Sequence, residues 1–309
     1  MKKSTIIFCS AMLMLSGCFT GVDSTPKITN KEVKRHGVSK ISAEEQLMSS
    51  VSRDPYGSWK VGKCFYVTDS KIQLALTPAS VASILKPGDI ITYSGTVANT
   101  SILGDTVSAI SFRTPSGEIA AYRMEASPER LSQQTELEVP FAIDMALVER
   151  ARAQLVGKKM WINTMQWYTA AGEPFTGKKF VAVTVSHVNP GNAEFPLMVL
   201  FTEEANAAAG EHGVYLTVGT RSSTARTFQH IFSLTDPKKR YSSITDEEWA
   251  EIAIGNIKEE MSREACRLSL GSPKNVDRYN SGGLLVERWS YENGIFLEFM
   301  DGKLKHFRR

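Results

Sequence analysis

Apolar and polar positions along this chain fall mostly into short alternating runs broken by turn residues. That period-2 rhythm argues for strands rather than long helices. Lys63-Cys64-Phe65-Tyr66-Val67, Ile72-Gln73-Leu74-Ala75-Leu76 and Ile90-Ile91-Thr92-Tyr93 are three such runs. Val107-Ser108-Ala109-Ile110-Ser111-Phe112 alternates cleanly, and Ile119 to Met124 closes the set. Pro87-Gly88, Gly104-Asp105 and Ser116-Gly117 supply turns between them. Short strands packed this closely suit a small barrel, which removes exposed edges.

From Asp144 to Leu155 the period changes. Met145, Val148, Ala151 or Arg152, and Leu155 share one face of a helix. The first pattern then returns. Val61-Gly62-Lys63-Cys64-Phe65 matches Val156-Gly157-Lys158-Lys159-Met160-Trp161, and Gly88 to Ile91 matches Gly177 to Val183. Val107 to Phe112 matches Leu197-Met198-Val199-Leu200-Phe201, and both copies run through a turn toward Tyr122 or Tyr215. The pattern predicts a tandem pair of related barrels.

The C-terminal third changes style again. Thr245 and Glu248 form a capping box, with Ile244 and Trp249 placed as a hydrophobic staple. Ser262 caps a second helix that carries Cys266 and Leu270 and stops at Gly271 and Pro273. Three strands follow: Leu284 to Tyr291, Ile295 to Met300, and a last one through Phe307. The Asn293-Gly294 and Asp301-Gly302 pairs between them are hairpin signals. Earlier, Ser42-Ala43-Glu44-Glu45 starts a short helix that ends before Pro55.

The first residues read as export machinery. Met1-Lys2-Lys3 precedes an apolar run from Ile6 to Leu15, too short for the ~20 residues that span a bilayer core as a helix. Leu15-Ser16-Gly17-Cys18 resembles the lipobox of bacterial lipoproteins, which implies cleavage between Gly17 and Cys18 and lipid on the Cys18 sulfur. Phe19 follows the anchor, not the aspartate associated with inner-membrane retention, so the resemblance implies the outer membrane. The chain is similar in this respect to Bacteroidetes-type lipoproteins, but it lacks the acidic cluster linked to surface export, which points to a periplasmic face. Phe19 to about Val38 reads as a polar tether with a basic patch at Lys31, Lys34, Arg35 and Lys40.

Charge adds an exclusion. The chain holds 36 Lys and Arg against 33 Asp and Glu, and loss of Lys2 and Lys3 with the signal brings them near balance. Nothing in that balance recruits nucleic acid. Of the four cysteines, Cys9 leaves with the signal and Cys18 takes lipid. An oxidising compartment permits a Cys64–Cys266 bridge, but their apolar surroundings favour buried free thiols.

Two further resemblances organise the body. The order of short strands resembles tandem Src-homology-3-like barrels. The final segment is similar to the BamE/SmpA-like lipoprotein domain, through Met261 to Cys266, Leu270-Gly271-Ser272-Pro273, Glu287-Arg288-Trp289-Ser290-Tyr291 and Leu297 to Leu304. The expected fold is therefore mainly β with an α+β C-terminal domain. Its parts are a signal peptide (1–17), a lipidated tether with a short helix (18–55), a first small barrel (56–140), a linking helix with a second small barrel (141–240), and a helix-helix-three-strand BamE-like domain (241–309).

Catalytic signatures are missing from the sequence. His36, His187, His212, His230 and His306 are scattered, and no zincin, thiol-redox, nucleophile-elbow or phosphate-loop spacing occurs. No metal or cofactor is expected. Glu203-Glu204 reads as a solvated loop. Trp161 to Tyr168 has the look of a binding segment, at the place where Src-homology-3-like barrels present aromatics. Trp167 and Tyr168 face opposite ways in a strand, so one points outward. With Trp289 and Tyr291 they are the candidate partner-binding residues. The leading expectation is a non-enzymatic envelope lipoprotein that binds another envelope protein as an assembly factor or scaffold. The rivals are a peptidoglycan or glycan reader, and an inhibitor of a periplasmic hydrolase with Trp289 and Tyr291 outward on a concave sheet. A hydrolase would need His187, His212 or His230 in a pocket with a carboxylate.

Overall fold

The computed structural model describes residues 41–100, 104, 106–218 and 226–309. The lipobox with Gly17 and Cys18, the tether, His36 and Asp105 lie outside these residues.

Ser42 begins the described chain as the cap of α1 (Ala43–Met48). Its hydroxyl accepts from the Glu45 amide at 3.0 Å while the Glu45 carboxylate takes the Ser42 N–H. The first sheet then collects β1 (Cys64–Val67), β2 (Leu76–Thr77), β3 (Ile90–Thr100), β4 (Thr106–Arg113) and β5 (Ile119–Met124). α2 (Ala79–Ala82) lies between β2 and β3. α3 (Pro128–Ser132) leads from β5 to β6 (Ala142–Asp144), the last strand of this sheet. Of the expected Ile72–Leu76 strand only Leu76 is extended, together with Thr77 in β2. Asp69 accepts from the Lys71 amide at 2.8 Å and winds Ser70–Leu74 into a 3-10 turn instead.

β6 runs directly into α4 (Met145–Leu155). Asp144 accepts from the Ala146 amide at 2.9 Å and caps the helix, whose Leu147, Val148, Ala151 and Leu155 are buried. The second sheet comprises β7 (Lys159–Ile162), β8 (Gln166–Thr169), β9 (Pro174–Thr176), β10 (Val181–Pro190), β11 (Leu197–Glu203) and β12 (Glu211–Leu216). After α5 (Phe228–Ile231) it is completed by β13 (Phe232–Ser233).

The two sheets share one plan. The first has the order β2-β5-β4-β3-β1-β6, the second β9-β8-β12-β11-β10-β7-β13. Six strands correspond one to one, and β9 is extra. Both copies also break register at the same point. β3 bulges between Tyr93 and Gly95, just past the Tyr93–Phe112 pair. β10 bulges between Val185 and His187, just past Val185–Phe201. A bulge adds local twist, so the second unit repeats the curvature of the first as well as its order.

α6 (Pro237–Arg240) precedes the C-terminal part, formed by α7 (Asp246–Ala253), α8 (Arg263–Leu270), β14 (Asn275–Ser281), β15 (Leu284–Ser290), β16 (Phe296–Met300) and β17 (Lys303–Arg308). The Thr245–Glu248 capping box forms, with Ile244 and Trp249 both buried beside it. The sheet has four strands, not the expected three. β14 reads Asn-Val-Asp-Arg-Tyr-Asn-Ser and is exposed at every position. An edge strand that buries so little leaves no apolar alternation to find.

Three apolar clusters form the core. One lies under the first sheet around Phe65, Ile91 and Phe112; a second joins α4 to the second sheet around Val183, Phe201 and Phe232. The third packs α7 and α8 on the last sheet around Cys266, Trp289 and Phe299. The described chain is mainly β, in three sheets.

Candidate functional site

β8 has to satisfy both faces of the second sheet, and alternation splits its two aromatics. Trp167 turns inward and is 2% exposed, against Phe201 and Phe175. Its indole N–H donates to the Thr164 carbonyl at 2.8 Å, which settles the one polar atom it carries inside. Tyr168 turns outward and is half-buried. It stands opposite Gly213 of β12, and Gly213 stands opposite Leu200 of β11. A Cβ on Gly213 would come within 2.7 Å of the Leu200 side chain, so this position leaves room for the outer-face side chains around it.

Over that floor an aromatic cluster assembles from three places in the chain. The Tyr168 and Tyr215 rings meet edge to face with centroids 4.7 Å apart, and Phe195 from the β10–β11 turn lies 6.2 Å from Tyr215. Arg226 reaches in from beyond β12. Its guanidinium sits 5.4 Å from the centre of Tyr168 and 5.3 Å from that of Phe195. One terminal nitrogen donates to Gln166 Oε1 at 2.9 Å and to the Tyr168 hydroxyl at 3.1 Å. The other is buried and has no hydrogen-bond partner among the described residues. Burial raises the Tyr215 hydroxyl above its ordinary pKa, with smaller contributions from Tyr168 and Glu173. Chemically this is a surface that stacks flat or cationic groups and offers hydroxyl and amide hydrogen bonds at its rim.

Of the four sequence-predicted partner residues, Tyr168 alone belongs to this cluster. Trp167 and Trp289 lie in cores, and Trp289 is 1% exposed, packed on Phe299 with Arg267 over its ring. Tyr291 is half-buried against the third core and donates to the Gly271 carbonyl at 3.2 Å. Burial of Trp289 corrects the picture of an outward Trp289–Tyr291 pair on which inhibition would rest. The reason is strand parity: Trp289 faces the same side as Leu297, opposite it on β16, and that side carries α7 and α8. Phe195, Tyr215 and Arg226 were not singled out from the sequence.

The remaining chemical candidates are dispersed. His187 Nδ1 lies 2.9 Å from Glu211 Oε1, on an open strand surface with 63% of the histidine side chain exposed. His212 stacks near Trp167 and Phe175, His230 bonds the Thr227 hydroxyl at 2.5 Å, and His306 is exposed on β17. Glu203 is not in a solvated loop: it ends β11, is 7% exposed, and pairs with Lys178 at 3.4 Å. Cys64 and Cys266 are both free. Cys266 is buried and Cys64 half-buried, and burial pushes the Cys266 thiol up to about 12. Among the described residues no group of three His, Cys, Asp or Glu side chains is placed to hold a metal ion, and no helix is long and apolar enough to cross a membrane.

A cavity of about 580 Å³ opens beside the β6–α4 junction between Arg53, Glu136, Tyr122 and the β10–β11 turn. Its inner wall includes Asp144, which is committed to Lys63 at 2.8 Å and to the α4 cap. No protein-family model matches the chain, and comparison with curated proteins and with solved structures finds no match.

Proposed function

We propose that this chain is a non-enzymatic lipoprotein of the bacterial envelope, anchored through Cys18 and facing the periplasm, which binds another envelope protein as an assembly factor or scaffold. The observation that carries the binding role is the outward aromatic cluster of Tyr168, Phe195 and Tyr215, an arrangement of the kind that anchors protein partners. The shared strand order and matching bulges of the first two sheets support reading them as tandem Src-homology-3-like barrels. The two helices before a twisted sheet support the BamE-like reading of the end, with β14 as an addition at its edge. Fold likeness alone carries no partner.

The test is crosslinking in intact cells, followed by capture of a C-terminally tagged copy from mild detergent. One envelope protein should be recovered in stoichiometric amount, and Tyr168→Ala should lower its recovery at least tenfold. Recovery that ignores Tyr168, or retention on the cell-wall fraction with no protein partner, would overturn this reading, the latter in favour of glycan binding. The anchor is tested separately: Cys18→Ala should move the protein from the membrane to the soluble fraction and abolish incorporation of labelled palmitate.

A further inference from the structure

We infer that the cluster of Tyr168, Phe195 and Tyr215 is a receptor for a cationic side chain, an arginine above all, and that the free protein fills it with its own Arg226. The inference rests on the reading above that this surface docks a partner, and it names the group the partner presents.

Arg226 already shows what the surface recognises. A guanidinium is planar and weakly hydrated, so it can lie against aromatic rings while its N–H groups bond at the rim. Arg226 does both, with ring contacts at 5.4 and 5.3 Å and donor bonds of 2.9 and 3.1 Å to Gln166 and Tyr168. The surroundings favour positive charge. The β8–β9 turn brings Gly172 so close to Tyr215 that a Cβ there would lie 2.8 Å from the tyrosine hydroxyl, and Glu173 follows on the same turn. Glu173 acts electrostatically on Tyr215, so a carboxylate stands at the rim of the cluster. An anionic ligand would meet that carboxylate; a cation is drawn by it.

Arg226 is also an incomplete occupant. Its bonds to Gln166 and Tyr168 both come from one terminal nitrogen, and the other is buried without an acceptor among the described residues. A buried charged donor left unpaired is unfavourable. Release into water would satisfy that nitrogen, while a partner's arginine, arriving at a different angle, can bring its own acceptors. Tyr168, Phe195 and Tyr215 are all half-buried, so the rings need little rearrangement to change occupants. The contact therefore works as an internal competitor that lowers the affinity of the surface for its partner.

The experiment uses the full-length protein in mild detergent, titrated with Nα-acetyl-arginine amide and, in parallel, with its neutral isostere Nα-acetyl-citrulline amide. Binding is read by the change in intrinsic fluorescence and by calorimetry. Arg226→Ala and Arg226→Gln should each bind the arginine amide at least tenfold more tightly than the unaltered protein. Neither should respond to the citrulline amide, and adding Tyr168→Ala should remove the binding. Equal response to the two amides, no gain in either Arg226 variant, or failure of both variants to fold would overturn the inference. In the last case Arg226 holds the sheet together and cannot leave. The two readings fail separately. Tyr168-dependent capture of a partner with no arginine-amide binding sinks only this inference. Arginine-amide binding with no captured partner sinks only the proposed function.

Discussion

Gly177 shows how closely single residues are fitted. A Cβ at this position would lie 2.0 to 2.3 Å from three atoms of the Trp167 ring. The indole lies flat on bare backbone, so Gly177→Ala should destabilise the protein by about 1–3 kcal/mol and disturb the near-UV signal of a buried tryptophan. Urea unfolding checks the first and circular dichroism the second. Glu287 is a different kind of buried residue: it is 3% exposed, on the helix-facing side of the last sheet. Burial raises its pKa, but the Trp289 indole N–H at 3.1 Å, Arg278 at 3.1 Å and Arg263 outweigh burial and hold the carboxyl below its ordinary value. The folded form therefore gains stability from ionised Glu287 above the ordinary glutamate pKa and loses it as pH falls through the lowered one. Stability measured from pH 6 to pH 3 should decline more steeply in the natural protein than in Glu287→Gln. The sequence shows why such residues were only half legible. Alternation assigns Trp167 and Tyr168 to opposite faces, but it does not say which face is covered. Trp289 is covered because α7 and α8 lie on its side, a fact of packing rather than of spacing.

Elements with local causes could be read; elements held by partners could not. The helix start at Ser42–Glu45 and the capping box at Thr245–Glu248 are each written in four consecutive residues, and both formed as expected. β14 has no such code: its ladder to β15 runs from Asn275–Ser290 to Ser281–Leu284 and is set by the neighbouring strand. The junction of β6 and α4 lies between these extremes. Asp144 is the last residue of the first sheet and the cap of α4, and it also binds Lys63 of the segment before β1. The Lys63 side chain is 7% exposed, bridges Asp144 and Asp54, and lies 5.7 Å from the Trp59 ring centre. Lys63→Met leaves the buried Asp144 without its cation and should cost about 3–5 kcal/mol. Asp144→Asn keeps a capping oxygen while removing the charge, so the double variant should recover part of that loss. A double-mutant cycle in urea should show coupling of about 1–3 kcal/mol.

At the scale of the molecule, the shared strand order was legible because matched runs became equivalent strands: Val107–Phe112 lies in β4 and Leu197–Phe201 in β11, at the same place in the two orders. The candidate site was not. Phe195 sits in a turn, Tyr215 on a strand and Arg226 beyond it, and only the pairing of β8 with β12 and β12 with β11 brings them to Tyr168. The join to the C-terminal part was equally hidden. The Lys179 amide donates to the Ala253 carbonyl at 2.9 Å, its ammonium donates to the Ser269 carbonyl, and Phe180 packs edge to face on Trp249. Burial pushes the Lys179 ammonium down to about 8. Its contribution to stability is therefore present above the ordinary lysine pKa and is lost as pH falls through about 8. Cys266, raised to about 12, has the opposite slope above its ordinary 9.0 because the unfolded thiol ionises first. Comparing unfolding of the natural protein with Lys179→Met from pH 7 to pH 10 isolates the lysine: its stability relative to the variant should rise across that range.

The β6–α4 junction also decides where a protease can enter. Two arginines stand midway along the chain, where a protein of separate beads would offer trypsin a linker. Arg150 donates to the Ser52 carbonyl and pairs with Asp54, and Arg152 donates twice to the Val188 carbonyl. Both lie in a helix whose apolar face is buried in the second core. Brief digestion should therefore fail to split the protein into halves, and scission at its midpoint should appear only when the body unfolds.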